Sequence, residues 1–378
     1  MTSFLATMAA AGKTWLFGQM LPLWSTAGFD ARAGQFVEAL SPAGEPLSLP
    51  RRTLVQARQM FVFCAGGRLG WDGPWRDRAS AAGELLLARG RSSAGDWIYS
   101  FDAEGQAADR RADLYTQAFV IFGLAEAGLT LGRTDFIAAA RATCARLEAS
   151  WADPSGGFFD GEIAPHPGRQ NPHMHLLEAF LALHAATGDG ADLTRAEQLA
   201  ELFTTRLLTN AECIPEAFDA AWRPIASGGA APGHQFEWAW LLDRLRRAGG
   251  GDRSVTAGAL AAFGERCGVD AAGFAIDEIE LDGSPKSAEA RLWPQTERLK
   301  SALMRCDLDA GDADPAAPAA VRQAFDALGA YLDAPTPGSW RDARLAGGGW
   351  RESPAPASSA YHIVSALQTL IEAASGRA

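Results

Sequence analysis

Apolar residues recur at helical spacing along most of the chain. Phe4, Met8, Ala11 and Trp15 lie three or four positions apart, which places them on one face of a helix. The same periodicity returns in eleven further stretches, separated by glycine, proline or polar clusters. It predicts twelve helices, at about residues 2–24, 53–65, 74–88, 113–129, 134–150, 172–186, 193–208, 234–247, 255–267, 293–306, 315–331 and 359–374.

Short segments that combine glycine with aromatic residues separate many of these helices. Their polarity alternates as in short strands, and residues 35–40 suit a small hairpin. They lie near Phe36, Trp97, Phe158, Phe218, Phe274 and Trp340. Because they recur at roughly 60-residue intervals, the chain divides into six units, each made of a helix pair and a short β connection.

Six helix pairs can close on themselves into a toroid with an inner and an outer ring of six helices. An open helical solenoid is the alternative arrangement of such repeats. Closure is favoured because no unit shows the polar face that caps the end of an open array. We therefore predict an all-α (α/α)6 barrel that spans residues 1–378 as one domain. Several helix N-termini would then surround one pocket.

Composition and charge narrow the class of protein. A net charge of -11 disfavours a nucleic-acid partner and an anionic membrane surface. No apolar run reaches bilayer length, and Lys13 interrupts the apolar N-terminal stretch, which has no basic segment before it. The five scattered cysteines include no Cys-x-x-Cys pair and suit reduced, buried thiols. We expect a cytoplasmic monomer or homodimer with no nucleic-acid or membrane partner.

Candidate chemistry lies at the predicted helix starts. His234 and Glu237 are three residues apart, so they share one face of the first turn. A histidine can change charge near neutral pH, and a carboxylate beside it orients the imidazole and raises its pKa. The pair therefore suits proton transfer, with a solvent-facing histidine as the alternative. The spacing also fits a metal site, but further ligands would have to come from isolated residues, so we expect no metal.

The helix that starts at Asn171 carries two histidines. Asn171 is a typical N-cap, and Pro172 is typical of the first helical position. His173 and His175 are two residues apart and point to different faces, so we expect one of them to face inward. Metal chelation on a helix uses spacings of three or four, which this pair does not have.

Five further side chains are candidates for a polar pocket. His362 begins the last helix, where capping or packing is the alternative role. Trp293 and Glu297 are four residues apart at another helix start and offer a flat apolar surface and a hydrogen-bond acceptor. Arg58 and, less clearly, Gln117 lie within apolar helices, so each points either outward or into a polar cavity.

Six segments, taken in order, resemble the N-acylglucosamine 2-epimerase superfamily. They read QARQMFVF, GGFFDG, NPHMHLLEAF, PGHQFEWAWLL, RLWPQTERLK and SSAYHI, and they cover nearly the whole chain. Members of that superfamily are (α/α)6 barrels that interconvert free sugars without a redox cofactor or a catalytic metal. The resemblance implies that His234 and His362 form an acid/base pair supported by Glu237. The residues that would hold the sugar are Arg58, Trp293, Glu297 and one or both of His173 and His175, with Asn171 and Gln117 added as candidates by position.

Two departures from the superfamily pattern favour one branch. Cellobiose 2-epimerases carry a Trp-Lys pair shortly before the final Tyr-His, whereas this chain reads SPAPASSAYHI. N-acylglucosamine 2-epimerases usually lack the His-Met-His form of residues 173–175. Both departures resemble the D-mannose isomerase branch. We therefore expect cofactor-free interconversion of D-mannose and D-fructose through an enediolate.

Several alternatives remain open at this point. A sugar 2-epimerase of the N-acylglucosamine or cellobiose type and a mannose-6-phosphate isomerase are the nearest ones. An unphosphorylated monosaccharide is expected because no glycine-rich phosphate loop and no Lys/Arg cluster occurs in the site segments. Glycoside hydrolases also use helical toroids but need two carboxylates around the scissile bond. A non-catalytic sugar-binding protein is the last alternative.

Overall fold

The computed structural model describes residues 2–161, 168–209, 213–308 and 317–376. Within these ranges each of the twelve predicted helices overlaps an observed helical rod. The rods are α1 (Thr2–Trp15), which continues through a π-helical turn (Leu16–Met20) into α2 (Leu21–Thr26), α3 (Thr53–Arg68), α4 (Trp75–Arg89), α5 (Leu114–Leu131), α6 (Thr134–Ser150), α7 (Gln170–Thr187), α8 (Gly190–Leu202) with a π-helical turn (Phe203–Leu207), α9 (Pro232–Arg247), α10 (Ser254–Gly268), α11 (Leu292–Leu308), α12 (Ala317–Leu332) and α13 (Ser359–Ala374).

The six odd-numbered helices from α3 to α13 form a closed inner ring. Each packs on the next, and α13 packs back on α3, which closes the circle. One outer helix covers each inner helix: α4 packs on α3, α6 on α5, α8 on α7, α10 on α9, α12 on α11 and α1 on α13. This two-layered ring is the (α/α)6 barrel that the sequence predicts, and the contact between the first and last inner helices excludes an open solenoid.

The inner helices are apolar on most sides because the outer ring shields them. By length and composition, α5 is apolar enough to cross a membrane, contrary to the expectation that no apolar run reaches bilayer length. However, 72% of that helix is buried inside the barrel. A helix that is hydrophobic all round is typical of a fully covered core element, and α5 has that position here. Its ends are well defined, since Asp113 accepts a hydrogen bond from Thr116 N and Gly132 takes a left-handed conformation.

The connections contain strands of two or three residues. They are β1 (Phe29–Asp30), β2 (Gln35–Phe36), β3 (Ala39–Leu40), β4 (Arg51–Arg52), β5 (Ser100–Phe101), β6 (Ala107–Asp109), β7 (Gly168–Arg169), β8 (Ala217–Phe218), β9 (Glu278–Ile279), β10 (Pro285–Ser287), β11 (Ala290–Arg291), β12 (Ala343–Arg344) and β13 (Ala355–Pro356). They pair antiparallel as β1–β2, β4–β5–β6, β7–β8, β9–β10, β11–β12 and β3–β13. The alternating segments near Phe158 and Phe274 form only single bridges.

The hairpin predicted for residues 35–40 is wrong. β2 pairs with β1, whereas β3 pairs with β13 from the far end of the chain. The backbone between the two strands is already hydrogen-bonded to other segments. Val37 N donates to Gly28 O, and Glu38 O accepts from Ala357 N. The alternating residues 35–40 therefore belong to two separate strand pairs, β1–β2 and β3–β13. The second pair joins the beginning and the end of the ring.

A recurring polar contact fixes four of the connections to the inner helices that follow them. The carboxamide of Gln117 accepts a hydrogen bond from Trp97 N and donates one to Trp97 O. The same double contact joins Gln56 to Phe36, Gln235 to Ile214 and Gln295 to Ala275. We call these residues the backbone clamps. Because each clamp satisfies a buried backbone N–H and C=O, it sets the position of the loop above the helix start.

Candidate active site

A cavity of about 300 Å³ opens at the end of the barrel where the inner helices begin. Every inner helix, or the residue just before it, contributes to its wall. The lining residues are Arg52, Leu54, Arg58, Tyr115, Asn171, His175, His234, Glu237, Arg291, Trp293, Ser358, Ser359 and His362. The predicted convergence of helix starts on one pocket is therefore observed, and histidines from three different helices meet there.

Volume alone does not identify this cavity as the site. A groove of about 550 Å³ lies beside α10 and α12, and one of about 260 Å³ lies near Trp240 at the opposite mouth of the barrel. Neither is lined by a histidine among the described residues. The smaller cavity at the helix starts is the one that collects groups able to move protons.

His234 is anchored by a carboxylate that sequence reasoning missed. Its Nδ1 lies 2.7 Å from Oε1 of Glu216, so Nδ1–H donates to that oxygen and Nε2 is left for the cavity. Partial burial alone would raise the pKa of Glu216. The charge and hydrogen bond of His234, with hydrogen bonds from Gln170 and Ala231 N, lower that pKa below its usual value. Glu216 is therefore an ionised anchor at neutral pH.

The pairing of His234 with Glu237 that the sequence suggested is wrong. The imidazole turns outward to Glu216 on the preceding loop, whereas Glu237 points into the barrel interior. There, Glu237 Oε1 lies 3.9 Å from Nε2 of His175. Neither carboxyl oxygen of Glu237 has a hydrogen-bond partner within the described ranges. Burial, followed by the nearby charge of Glu297, raises the pKa of Glu237 well above its usual value. The protonated, uncharged form of this carboxyl is therefore favoured.

His362 has a second, more enclosed anchor. Its Nδ1 lies 2.8 Å from Oε1 of Glu297, and the other oxygen of Glu297 lies 2.6 Å from Nζ of Lys300. Glu297 and Lys300 are both completely buried. Burial, and then the positive charges of Arg58 and Lys300, lower the pKa of His362 well below its usual value. His362 is therefore an uncharged imidazole at neutral pH, with Nε2 available to accept a proton.

Trp293 lies between the two anchored histidines. Its ring centre is 4.7 Å from that of His234 and 5.7 Å from that of His362. The indole face is a surface on which the apolar side of a sugar can stack. The two imidazoles thus flank a single platform.

Arg58 points into the cavity, which settles the choice that the sequence left open. One guanidinium nitrogen donates to Ser358 O at 3.0 Å and another to Tyr115 Oη at 2.7 Å. The guanidinium also lies 3.9 Å from the ring centre of Phe119. These contacts hold a positive charge at a fixed place in the cavity wall.

Of the two histidines on α7, His175 lines the cavity and His173 does not. His175 Nδ1 donates to Glu178 at 3.0 Å, and Tyr361 Oη donates to the same carboxylate. Burial lowers the pKa of His175 to about 4, so it is neutral. His173 instead accepts from Phe158 N through Nε2 and donates to Arg169 O through Nδ1. His173 therefore takes the place of a backbone clamp.

Two other predicted sugar-binding residues are not among the lining residues. Gln117 is a backbone clamp, with both ends of its amide engaged by Trp97. Glu297 lies behind His362 and holds it. Asn171, Trp293 and Arg58 do line the cavity, as expected. The lining residues that sequence reasoning missed include Tyr115, Arg52 and Arg291, whose types and spacing gave no signal.

Two groups of side chains have the composition of a metal site. They are His175, Glu178 and Glu237, and Glu237, Glu297 and His362, with ligand atoms within 4.8 Å of one another in each group. In each group the histidine Nδ1 and one carboxylate already bind each other. Only Glu237 among these five residues has both oxygens unengaged. A cation would have to break an existing pair to gain a third protein ligand.

Comparison with known proteins agrees with this geometry. Residues 34–366 match the family model described as N-acylglucosamine 2-epimerase. The chain is 37% identical over 367 residues to a mannose-6-phosphate isomerase of Rhizobium meliloti (strain 1021), which covers 94% of this chain and 95% of the relative. It is 31% identical over 172 residues to a D-mannose isomerase of Thermobifida fusca, covering 40% of this chain and 42% of that one.

Solved structures share the fold. A cellobiose 2-epimerase from Bacillus thermoamylovorans superposes with a TM-score of 0.88 at 19% identity, covering 97% of this chain and 99% of that chain. A crystal structure of a D-mannose isomerase gives the same TM-score at 20% identity, with 97% of each chain covered. On the family match across most of its length, the chain belongs to the N-acylglucosamine 2-epimerase family and is a sugar isomerase or epimerase.

Proposed function

We propose that this enzyme interconverts D-mannose and D-fructose. The observation that carries the proposal is the pair of imidazoles on either side of Trp293, each anchored through Nδ1 by its own carboxylate. Such a pair offers two proton-transfer groups to one small substrate. The relatives named D-mannose isomerase support the same choice.

The proposed chemistry begins with the open-chain aldose, because only a C1 carbonyl makes the C2 proton acidic. Nε2 of neutral His362 removes that proton, a C1=C2 double bond forms, and O1 takes the negative charge. The positive charge of Arg58 and the neutral carboxyl of Glu237 stabilise the enediolate. His234 passes the O2 proton to O1, and His362 returns its own proton to C1. The product is the ketose, and every proton is accounted for.

A phosphorylated mannose is the second candidate substrate. Arg52 and Arg291 also line the cavity, and their side chains are 33% and 44% exposed. Each has a carboxylate neighbour, Glu38 and Asp277 respectively, but a guanidinium keeps further donors for a phosphate. A relative that is 37% identical and matches over 94% of this chain is named mannose-6-phosphate isomerase.

The experiment that tests the proposal follows several sugars by NMR in D2O. Mannose should give fructose that carries deuterium at C1. Conversion of mannose to glucose with deuterium at C2 would instead indicate a 2-epimerase. A kcat/KM for mannose 6-phosphate well above that for mannose would favour the second candidate. Lack of turnover across mannose, glucose, cellobiose and their phosphates would leave only a sugar-binding role.

We also propose that the reaction needs no metal or redox cofactor and takes place in the cytoplasm. Support comes from the two anchored histidines, whose Nδ1 atoms are committed to carboxylates. Turnover should persist after exhaustive chelation. A loss that only a divalent ion restores would overturn the metal-independent mechanism.

A further inference from the structure

We propose that Lys300 is a positioning residue that holds the Glu297–His362 pair so that His362 presents Nε2 to the cavity. The inference rests on the proposed role of His362 in proton transfer. Lys300 is not among the cavity-lining residues in the described part of the chain, so it would act through Glu297 and through its charge near His362.

The geometry is a three-member chain from the barrel interior to the cavity. Lys300 lies on α11, three residues after Glu297, and is completely buried. Its Nζ lies 2.6 Å from one oxygen of Glu297 and forms an ion pair with it, although the angle does not suit a hydrogen bond. The other oxygen of Glu297 lies 2.8 Å from Nδ1 of His362. Nζ also lies 3.8 Å from the ring centre of Trp240, which closes the space behind it. Each oxygen of Glu297 is thus held from a different side.

The charge balance explains why a lysine is needed there. A carboxylate that is fully buried requires a counter-charge nearby. His362 cannot provide one, because its imidazole is uncharged at neutral pH. Lys300 is the cation that contacts Glu297 directly. Without Lys300, the Glu297–His362 pair would tend to take up a proton on one of its two members. His362 would then be a poorer proton acceptor, either because it is already protonated or because its anchor has lost its charge.

Within the part of the chain that the structure describes, the carboxylate that anchors His234 has no lysine beside it. Glu216 is 27% exposed and accepts hydrogen bonds from Gln170 and Ala231 N besides His234. Water and neutral donors therefore stabilise its charge. Only the enclosed anchor, Glu297, depends on a buried cation. The two histidines should thus respond differently to the loss of a positive charge from α11.

The electrostatic effect on His362 has a definite sign. Groups from every packed element face this histidine: the cations are Arg58 and Lys300, the carboxyl groups are Glu178, Glu237 and Glu297, and the uncharged groups are His175 and Tyr361. Among them, Arg58 and Lys300 lower its pKa, and Glu178 raises it. Removing the charge of Lys300 therefore raises the pKa of His362. The acid limb of the kcat/KM profile should move to higher pH.

The test compares Lys300→Met with a matched control on the same helix. Arg298 is also a buried cation paired with a carboxylate, Glu265, but it lies away from the cavity. We expect Lys300→Met to lower kcat by on the order of 10- to 100-fold with a smaller change in KM. Arg298→Met should lose stability without moving the acid limb. Equal pH profiles for the two variants would overturn the proposal.

A second measurement needs no substrate, so it separates this proposal from the proposed reaction. Imidazole NMR should show a higher titration midpoint for His362 in Lys300→Met than in the wild type, and an unchanged midpoint for His234. An unchanged His362 midpoint would overturn the proposal even if the sugar proved to be a different one.

A double variant decides the case in which Lys300→Met does not fold. Lys300→Met with Glu297→Gln removes both charges, so no unpaired ion remains buried. At a pH above the acid limb, where the charge of Lys300 no longer sets the protonation of His362, the double variant should turn over as fast as Glu297→Gln alone if Lys300 acts by holding Glu297. A further tenfold loss in the double variant would show an independent role and overturn the proposal.

Discussion

At the scale of single residues, His234 and His362 differ in the carboxylate that binds the Nδ1 atom of each imidazole. His234 is hydrogen-bonded to Glu216, a loop carboxylate that is partly exposed to solvent. His362 is hydrogen-bonded to Glu297, which is completely buried. The enclosed setting favours the uncharged imidazole, which suits removal of a carbon-bound proton. The open setting keeps the carboxylate that anchors His234 in contact with solvent, and we propose that this histidine transfers the proton between the sugar oxygens.

The first prediction concerns the two histidines themselves. His234→Asn and His362→Asn should each lower kcat by on the order of 10²–10⁴, because each removes a proton-transfer group. His184 is a suitable control, since it lies in the last turn of α7, outside the cavity lining, and its side chain donates to Asp189 O. His184→Asn should keep wild-type turnover. Near wild-type kcat in both His234→Asn and His362→Asn, with the fold intact by circular dichroism, would refute the proposed pair.

The second prediction separates the carboxylate that the sequence indicated from the one that the structure reveals. Glu216→Gln removes the charge that anchors His234, and kcat should fall by about 10- to 100-fold. Glu237→Gln should cost less than about tenfold at pH 7, because the side chain it replaces is already uncharged. Steady-state kinetics of both variants at several pH values is the measurement. The reverse order of effects would contradict the assignment of Glu216 as the anchor.

The third prediction is a stability effect of Glu237. Its pKa is raised in the folded state, so the folded protein retains a proton that the unfolded chain releases above the usual pKa of a glutamate, about 4.3. Its contribution to stability is therefore complete below that pH and is lost as pH rises toward the folded-state pKa. Glu237→Gln abolishes this titration. The Tm of the variant relative to the wild type should rise between pH 5 and pH 8, and a constant difference would contradict the raised pKa.

The sequence indicated most of the site residues that lie at helix starts, although not Tyr115, and gave no indication of the loop carboxylate Glu216. His175, Trp293 and His362 were predictable because capping residues and apolar periodicity indicate where a helix begins. Glu216 lies on a loop with no fixed spacing to His234, so nothing in the pattern could connect them. Gln117 was misassigned because a polar group in an apolar helix can bind backbone as well as substrate.

At the scale of elements, the backbone clamps explain which side chain of each inner helix reaches the interior. The residue two positions after a clamp points into the barrel: Arg58 follows Gln56, Glu237 follows Gln235, and Glu297 follows Gln295. His175 stands in the same relation to His173. In these four inner helices the first turns thus carry one residue that holds the loop and one that points to the barrel interior. This pattern was present in the sequence at intervals of about 60 residues but was not recognised.

The fourth prediction follows from this division. Gln117→Ala should leave the buried N–H and C=O of Trp97 without partners and cost about 2–4 kcal/mol of unfolding free energy. KM for the sugar should change little, because Gln117 is not among the lining residues that the structure describes. Urea denaturation and steady-state kinetics measure the two effects. Gln323→Ala on the exposed face of α12 is the control and should be neutral. A tenfold rise in KM with unchanged stability would restore Gln117 as a sugar-binding residue.

At the scale of the whole molecule, periodicity predicted the helices and their number, but ring closure depends on contacts between distant segments. Gln59 donates to Ala357 O, and Arg58 donates to Ser358 O. Such contacts link residues from opposite ends of the chain, and no local pattern encodes them. The inference of a closed barrel from the sequence therefore rested on the lack of capping units, and the structure supplies the direct contact.

The joint between α3 and α13 also determines the order in which the molecule becomes an enzyme. A growing polypeptide can form five of the six inner helices while its ring is still open, and it lacks His362 until the sixth is added. Closure brings together segments that are far apart in the chain, a step that is slow because the intervening loop entropy is lost first. The addition of α13 therefore closes the ring and completes the cavity in the same late step of folding. A chain that stops short of α13 is therefore a barrel with a gap that contains only one histidine of the proposed proton-transfer pair.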